Sequence, residues 1–100
     1  MAKEALPFDA AEFLQDDESQ TELLADAFDS GDPGYVAHAV GVVARARGMA
    51  QVAKDADLNR EALYRALSRD GDPRLSTFLG VMNALGIKLQ PKMENRSDAA

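Results

Sequence analysis

Apolar residues between Met49 and Leu67 recur every three or four positions, in two short runs separated by a polar break. This spacing predicts two short helices that each bury one face against a shared core. Asp57 stands at the break, and Asp tolerates the left-handed backbone that a tight turn between crossed helices requires. Asn59 follows as a predicted N-cap for a second helix from Arg60 to Leu67. The pattern indicates a helix-turn-helix, the unit that places its second helix in the major groove of DNA.

The second helix of this unit has a polar outer face. Its alanines and leucines turn inward, which leaves two arginines, a tyrosine and a glutamate facing out. Arg bonds a guanine edge in bidentate fashion or clamps a phosphate, and Tyr bonds a phosphate or packs on a thymine methyl group. With polar residues of the first helix, the cap and the following loop added, the predicted DNA-contacting residues are Gln51, Asn59, Arg60, Glu61, Tyr64, Arg65 and Arg69. The alternative is an ordinary helical hairpin whose basic face is only solvated.

Three helices are predicted before the helix-turn-helix. They cover residues 10–14, residues 16 or 17 to about 29, and residues 34 to about 46. Gly31 and Asp32 separate the last two, as a C-terminal cap and an N-terminal cap. In the helix that begins at residue 34, the expected inward stripe is Val36, Ala39, Val40, Val43 and Ala44.

A last helix, with Ser76 as its expected N-cap, runs to Leu85 and covers the helix-turn-helix from behind. Its inward residues are predicted to be Leu75, Phe78, Leu79, Met82 and Leu85. An extended segment at residues 87–89 is expected either to pair with its twin across a two-fold axis or to pack against the last helix. Residues 1–90 are interpreted as a single helical domain, and residues 91–100 as a disordered tail.

Length and composition limit the classes of protein to which this chain can belong. A chain of 100 residues has the size of one domain. It contains no cysteine, which excludes a disulfide framework and fits a reducing compartment. No apolar run approaches the roughly 18 residues that a membrane span needs, and the N-terminus lacks the apolar centre of a signal peptide. We therefore expect a cytoplasmic protein with no membrane partner.

The formal net charge of −6 is divided unevenly along the chain. Residues 1–34 contain ten acidic residues and one lysine, a net charge of −9, whereas residues 35–100 contain seven acidic and ten basic residues, a net charge of +3. Salt screens exposed charges beyond about 10 Å, so the local sign near the second helix matters more to DNA than the total. An acidic part joined to a basic part suggests two different partners.

Catalysis and metal binding find little support in the sequence. Asp16, Asp17 and Glu18 are consecutive, and consecutive helical residues point in different directions, so they do not converge on a metal. There is no Ser-His-Asp arrangement, and we assign the single histidine, His38, no role. We expect neither an enzyme nor a cofactor.

Four arginines outside the second helix have two interpretations each. Arg45 and Arg47 end a predicted helix, where they either interact with the helix dipole or contact the DNA backbone. Arg69 and Arg74 lie in the turn-rich loop after the second helix, where they either contact phosphates or are only solvated.

Four stretches of the sequence resemble the addiction-module antidote family, HigA-like antitoxins with a lambda-repressor-like helix-turn-helix. They are residues 44–53 (ARARGMAQVA), 58–68 (LNREALYRALS), 71–73 (GDP) and 83–86 (NALG). The resemblance extends upstream through the acidic segment and covers about residues 8–90. Together with the helical periodicity, it indicates an all-α fold of five or six short helices with a lambda-repressor-like helix-turn-helix. The alternation at residues 87–89 adds a possible short C-terminal strand.

The resemblance also implies a function. Such antitoxins belong to type II toxin-antitoxin systems, neutralise a small basic toxin, commonly of the RelE or HigB ribonuclease type, and repress their own operon as a homodimer. The expected partners are therefore a double-stranded DNA operator, the toxin and a second copy of the chain. Within the acidic segment, the candidate toxin-binding residues are Phe13, Leu23, Leu24 and Phe28.

Two positions depart from the family pattern. Ala50 stands where Ser or Thr usually caps the first helix of the unit, at a cost of about 1 kcal/mol, and Asp57 stands where Gly is commoner. The alternative function is a phage-type transcriptional repressor without a toxin partner, which shares every feature from residue 49 onward. A neighbouring gene for a small basic protein distinguishes the two.

Overall fold

The computed structural model describes residues 16–94, so the predicted helix at residues 10–14 and the last six residues lie outside the described part of the chain. The described part is all-α, as expected. Its helices are α1 (Asp17–Ser30), α2 (Pro33–Arg47), α3 (Met49–Asp55), α4 (Arg60–Ala66) and α5 (Leu75–Ala84). Residues 87–94 have no regular secondary structure, so the optional C-terminal strand is not formed within the described residues.

The boundary between α1 and α2 has the two predicted caps, and the start of α1 has a cap that was not predicted. Asp16 caps α1 by accepting a hydrogen bond from the backbone N–H of Ser19 at 3.3 Å. Gly31 ends α1 in the left-handed conformation, with φ of 71°. Asp32 then caps α2 by accepting from the N–H of Gly34 at 3.0 Å, and proline occupies the first turn. Each cap satisfies a backbone group that the helix leaves without an internal partner.

One predicted cap, Ser76, was wrong, and so was the cap position that the family pattern placed at Ala50. Helix α5 begins at Leu75, so Ser76 lies inside its first turn, and Arg74 holds the cap position without a side-chain hydrogen bond. Helix α3 has its cap at Gly48, so Ala50 also lies inside a first turn. In both cases the helix begins before the expected cap position. The sequence pattern alone does not fix this boundary.

The core is centred on α2, which packs against α1 and α3. Val40 and Val43 are fully buried, as predicted, but Gly41 and Val42 on another side of the helix are buried too. The reason is the segment after α4: a Cβ on Gly41 would lie 3.0 Å from the backbone oxygen of Leu67. Helix α2 is therefore covered on two sides rather than along one stripe.

Helix α5 packs against α3, the first of the two short helices that it is predicted to cover. Its inward face is only partly the predicted one. Val81, Met82 and Leu85 are buried, whereas Leu75 and Leu79 are 71% and 45% exposed. Phe78, between these two leucines, packs against the core, so Leu75 and Leu79 lie on a side of the helix that faces away from the core.

Arg47, the last residue of α2, connects this helix to α1 and to the residue that follows α5. Its guanidinium donates to the side-chain oxygen of buried Gln20 on α1, at 2.9 and 3.1 Å, and to the backbone oxygen of Leu85 at 2.7 Å. It also lies 3.6 Å from the carboxylate of Asp17. Arg47 thus has a structural role that neither sequence interpretation included.

Candidate nucleic-acid interface

The turn between α3 and α4 has the conformation that the sequence predicts. Asp57 has a φ of 61°, the left-handed conformation that Asp tolerates better than most residues. The side chain of Asn59 accepts a hydrogen bond from the backbone N–H of Ala62 at 2.7 Å and so caps α4. The backbone N–H of Leu58 donates to the oxygen of Ala53 at 2.8 Å, which closes the turn. The two short helices and the tight turn that the sequence predicts between them are therefore formed.

One side of α4 is anchored in the core and the other is exposed. Leu63 is fully buried and Leu67 is 5% exposed, while Ala62 and Ala66 are half-buried. The four residues of the opposite side are all exposed, and they are Arg60, Glu61, Tyr64 and Arg65. Because the anchored side fixes the rotation of the helix, these four side chains project together from one surface.

Arg60 and Tyr64 contact each other on this surface, one helical turn apart. The guanidinium of Arg60 donates to the Tyr64 hydroxyl at 3.3 Å, and its central carbon lies 5.7 Å from the centroid of the tyrosine ring. A cation over an aromatic face at this distance is weakly attracted, by about 0.5–1 kcal/mol at an exposed site. The contact restricts the arginine and uses one of the roughly five N–H donors of its guanidinium.

Glu61 and Arg65 are the second pair of residues on this surface that are one turn apart. A carboxylate in the major groove accepts from the amino group of cytosine, and a guanidinium bonds guanine or a phosphate. The surface thus offers acceptors and donors, which suits base edges better than a uniformly basic helix would. Uniform basicity would favour phosphates alone.

The other two predicted DNA-contacting residues flank α4. Gln51 is exposed on α3, where its amide donates to the Asp55 carboxylate at 2.9 Å. Arg69 is exposed in the loop after α4, and Gly71 fixes this loop against the end of the helix, since a Cβ there would lie 2.5 Å from the backbone oxygen of Ala66. All seven predicted residues are therefore exposed on the helix-turn-helix and its following loop.

The candidate toxin-binding residues are less exposed than the predicted DNA-contacting residues. Phe13 lies outside the described residues. Leu24 is 7% exposed in the core, and Leu23 is half-buried against it, so neither offers much surface. Phe28 is 39% exposed, and its ring meets that of Phe78 edge to face at 6.4 Å between centroids. Of the described candidates, Phe28 presents the largest apolar surface.

His38, which the sequence left without a role, lies half-buried on α2. Burial lowers the pKa of His38 below its ordinary value, and the positive charges of Arg69 and Arg45 lower this pKa further. Its proximity to Arg69 depends on the close packing of the loop after α4 against α2, which no sequence pattern indicated.

Among residues 16–94, no group of three acidic or histidine side chains is placed to hold a metal ion. Within the same range, no helix is long and apolar enough to cross a membrane.

Comparison with known proteins identifies a family and a relative. The sequence model of a family described as "Probable addiction module antidote protein" matches residues 4–93, slightly more than the resemblance in the sequence suggested. An "Uncharacterized protein" of Haemophilus influenzae (strain ATCC 51907 / DSM 11121 / KW20 / Rd) is 38% identical over 90 residues, which are 90% of this chain and 93% of that protein. No solved structure gives a significant match.

Proposed function

Because this chain belongs to the family of probable addiction module antidote proteins, we propose that it is an antitoxin that binds operator DNA through α3 and α4 and represses its own operon. In this proposal α4 is the recognition helix and enters the major groove. Membership in the family favours an antitoxin over the phage-type repressor, which no observation on the described residues supports separately.

The observation that supports DNA binding is the outer surface of α4. Arg60, Tyr64 and Arg65 are exposed together, and the opposite side of the helix is held by Leu63. A recognition helix needs this combination, since base readout requires side chains whose direction is fixed by the fold. In the proposed complex the four outer residues read base edges, and Gln51, Asn59 and Arg69 contact bases or phosphates nearby.

We propose that the protein acts as a homodimer on a palindromic operator. Two recognition helices then bind half-sites one helical turn apart, at a spacing of about 34–36 Å. The segment after α5 agrees in part with each of the two alternatives from the sequence, packing against the chain itself and pairing with a second copy. Ile87 is half-buried against the core and its N–H donates to the Met82 oxygen at 2.9 Å, whereas Leu89 is 42% exposed.

The proposed toxin is a small basic protein of the RelE or HigB type, and the proposed binding surface is the acidic first part of the chain. On α1, Glu18, Glu22 and Asp29 are exposed, and Phe28 adds apolar surface beside them. This combination is complementary to a cationic RNA-binding face, because opposite charges steer association and a buried aromatic ring adds affinity.

The test is a gel shift at fixed salt with the DNA upstream of the operon. Replacing Arg60→Ala and Arg65→Ala together is expected to abolish the shift, because each bidentate arginine contributes about 1–3 kcal/mol. Both side chains are exposed, so the melting temperature is expected to stay unchanged. Lys88→Ala with Lys92→Ala is the matched control, since it also removes two exposed positive charges and is expected to keep the shift.

Retained operator affinity in the double arginine variant contradicts the proposed DNA-binding surface. The toxin proposal is measured separately, by co-expression with the small basic protein encoded next to the chain. A stable complex of the two proteins supports the antitoxin, and separate elution on size exclusion supports the phage-type alternative.

A further inference from the structure

One side of α2 runs against the segment that follows the recognition helix. Gly34 and Gly41, two turns apart on α2, make this approach possible. A Cβ on Gly34 would lie 2.9 Å from the backbone oxygen of Arg69, and one on Gly41 would lie 3.0 Å from the backbone oxygen of Leu67. A larger residue at either glycine would push the segment away from α2.

The close approach brings three basic groups together. His38 lies between the two glycines along α2, and the pKa of His38 is lowered mainly by burial and then by Arg69 and Arg45. The guanidinium of Arg45 lies 3.8 Å from the Cβ position of Gly41, one turn before it on the same side. Arg45 and Arg69 are both exposed, so their charges reach the surface next to α4.

Carboxylates also lie on the neighbouring elements. Asp26 on α1 accepts a hydrogen bond from the Tyr35 hydroxyl at 2.6 Å. Asp32, which caps α2, accepts from the N–H of Gly34 at 3.0 Å, and Asp70 and Asp72 are exposed in the loop after α4. The charges that lower the pKa of His38 are those of the two arginines, one from its own helix and one from the loop.

We propose that Arg45, His38 and Arg69 form a phosphate-binding patch beside the recognition helix, occupied by a backbone phosphate of the bound duplex, and that His38 takes up a proton when that phosphate binds. This inference rests on the proposed DNA binding. It adds a sequence-independent contact to the base-reading surface of α4, and it makes DNA affinity depend on pH.

The direction of the pH dependence follows from electrostatics. In the protein without DNA, burial and the two arginines oppose the charged form of His38, which lowers its pKa. A phosphate at the patch supplies negative charge that offsets the arginines and stabilises the imidazolium. Bound DNA therefore raises the pKa of His38, and by linkage the affinity for DNA rises as the pH falls through the region of histidine titration.

The decisive measurement is an NMR titration of untagged protein, with and without a short duplex taken from the DNA upstream of the operon. His38 is the only histidine, so its ring signal is unambiguous. The expected result is a higher pKa of His38 in the complex, with affinity by fluorescence anisotropy about five- to tenfold tighter at about pH 6 than at about pH 8, since one pKa unit corresponds to tenfold. Ionic strength is held constant.

Variants extend the test. His38→Gln is expected to keep the affinity measured at high pH and to lose the pH dependence. Arg69→Ala with Arg45→Ala is expected to weaken binding to any duplex and to reduce the slope of log affinity against log salt by about 0.9 for each phosphate that the variant no longer neutralises. Lys88→Ala, an exposed lysine on the segment after α5, serves as the charge-matched control.

Two outcomes overturn the patch while leaving recognition of DNA by α4 intact: a His38 pKa that is unchanged or lower in the complex, or a salt slope unaffected by the arginine replacements, which also removes Arg69 from the proposed DNA contacts. In either case loss of binding in the Arg60 and Arg65 variant still supports recognition by α4. Absence of DNA binding by the wild-type protein overturns both proposals.

Discussion

Helices α1 and α4 carry charges of opposite sign, and the two differ in how their polar side chains are used. On α1, Asp26 bonds to Tyr35 of α2, and Gln20 is bonded by Arg47. On α4, the hydrogen bond between the side chains of Arg60 and Tyr64 stays within the outer surface of that helix. Some polar side chains of α1 therefore bond the helix to α2, whereas the bond on the outer side of α4 joins two residues of the same helix.

The comparison shows that charge alone does not identify a binding surface. Both helices are amphipathic, but α4 has seven residues and is too short to be stable without packing. Helix α4 is held in place by apolar side chains and an N-cap, so its charged side chains remain exposed. Helix α1 has fourteen residues and is attached in part by polar contacts, so only some of its polar side chains remain for a partner.

The largest expected effect comes from removing the apolar anchor of α4. Leu63→Ala is expected to lower the free energy of unfolding by about 2–5 kcal/mol, because a fully buried leucine leaves a cavity when truncated. Urea denaturation measures the change. Leu75→Ala is the control, since that side chain is 71% exposed and its truncation is expected to cost below about 0.5 kcal/mol. Equal destabilisation by the two replacements contradicts the anchored position of α4.

A smaller effect is expected from breaking the polar attachment of α1. Arg47→Ala removes the hydrogen bonds to Gln20 and to the Leu85 oxygen, and it is expected to lower the free energy of unfolding by about 1–3 kcal/mol. Hydrogen exchange is expected to accelerate in α1 and to change little in α4. Asp17→Asn, which removes only the exposed partner of a 3.6 Å ion pair, is expected to be nearly neutral. Faster hydrogen exchange in α4 than in α1 would contradict the role of Arg47 in bonding α1 to the rest of the structure.

The smallest effect concerns the start of α4. Asn59→Ala removes the side-chain bond to the Ala62 N–H and is expected to cost about 1 kcal/mol in unfolding free energy, while Asn59→Ser is expected to retain most of it. Thermal unfolding followed by circular dichroism measures both variants. Ala50→Ser is the matched control, and no gain is expected because the cap position of α3 is Gly48. A stabilised Ala50→Ser variant would mean that α3 begins after Met49.

Local chemistry in the sequence determined several helix boundaries and the turn between α3 and α4. Gly31, Asp32, Asp57 and Asn59 were predicted correctly, because a cap or a left-handed residue acts through its own side chain and neighbouring backbone. The exposed side of α4 followed in the same way, from helical spacing over a few residues. The exposure of all four outer residues of α4 agrees with that prediction.

Only the tertiary structure decided which apolar side chains are buried and which basic groups meet. Leu75 and Leu79 fit the helical stripe of α5 but lie on its exposed side, whereas Phe78 between them packs against the core. Arg47 bonds α1 to the end of α5, and His38 meets Arg69 because two glycines admit the loop after α4. These contacts join residues far apart in sequence, and their partners depend on how helices stack, which a periodic pattern along one helix does not encode.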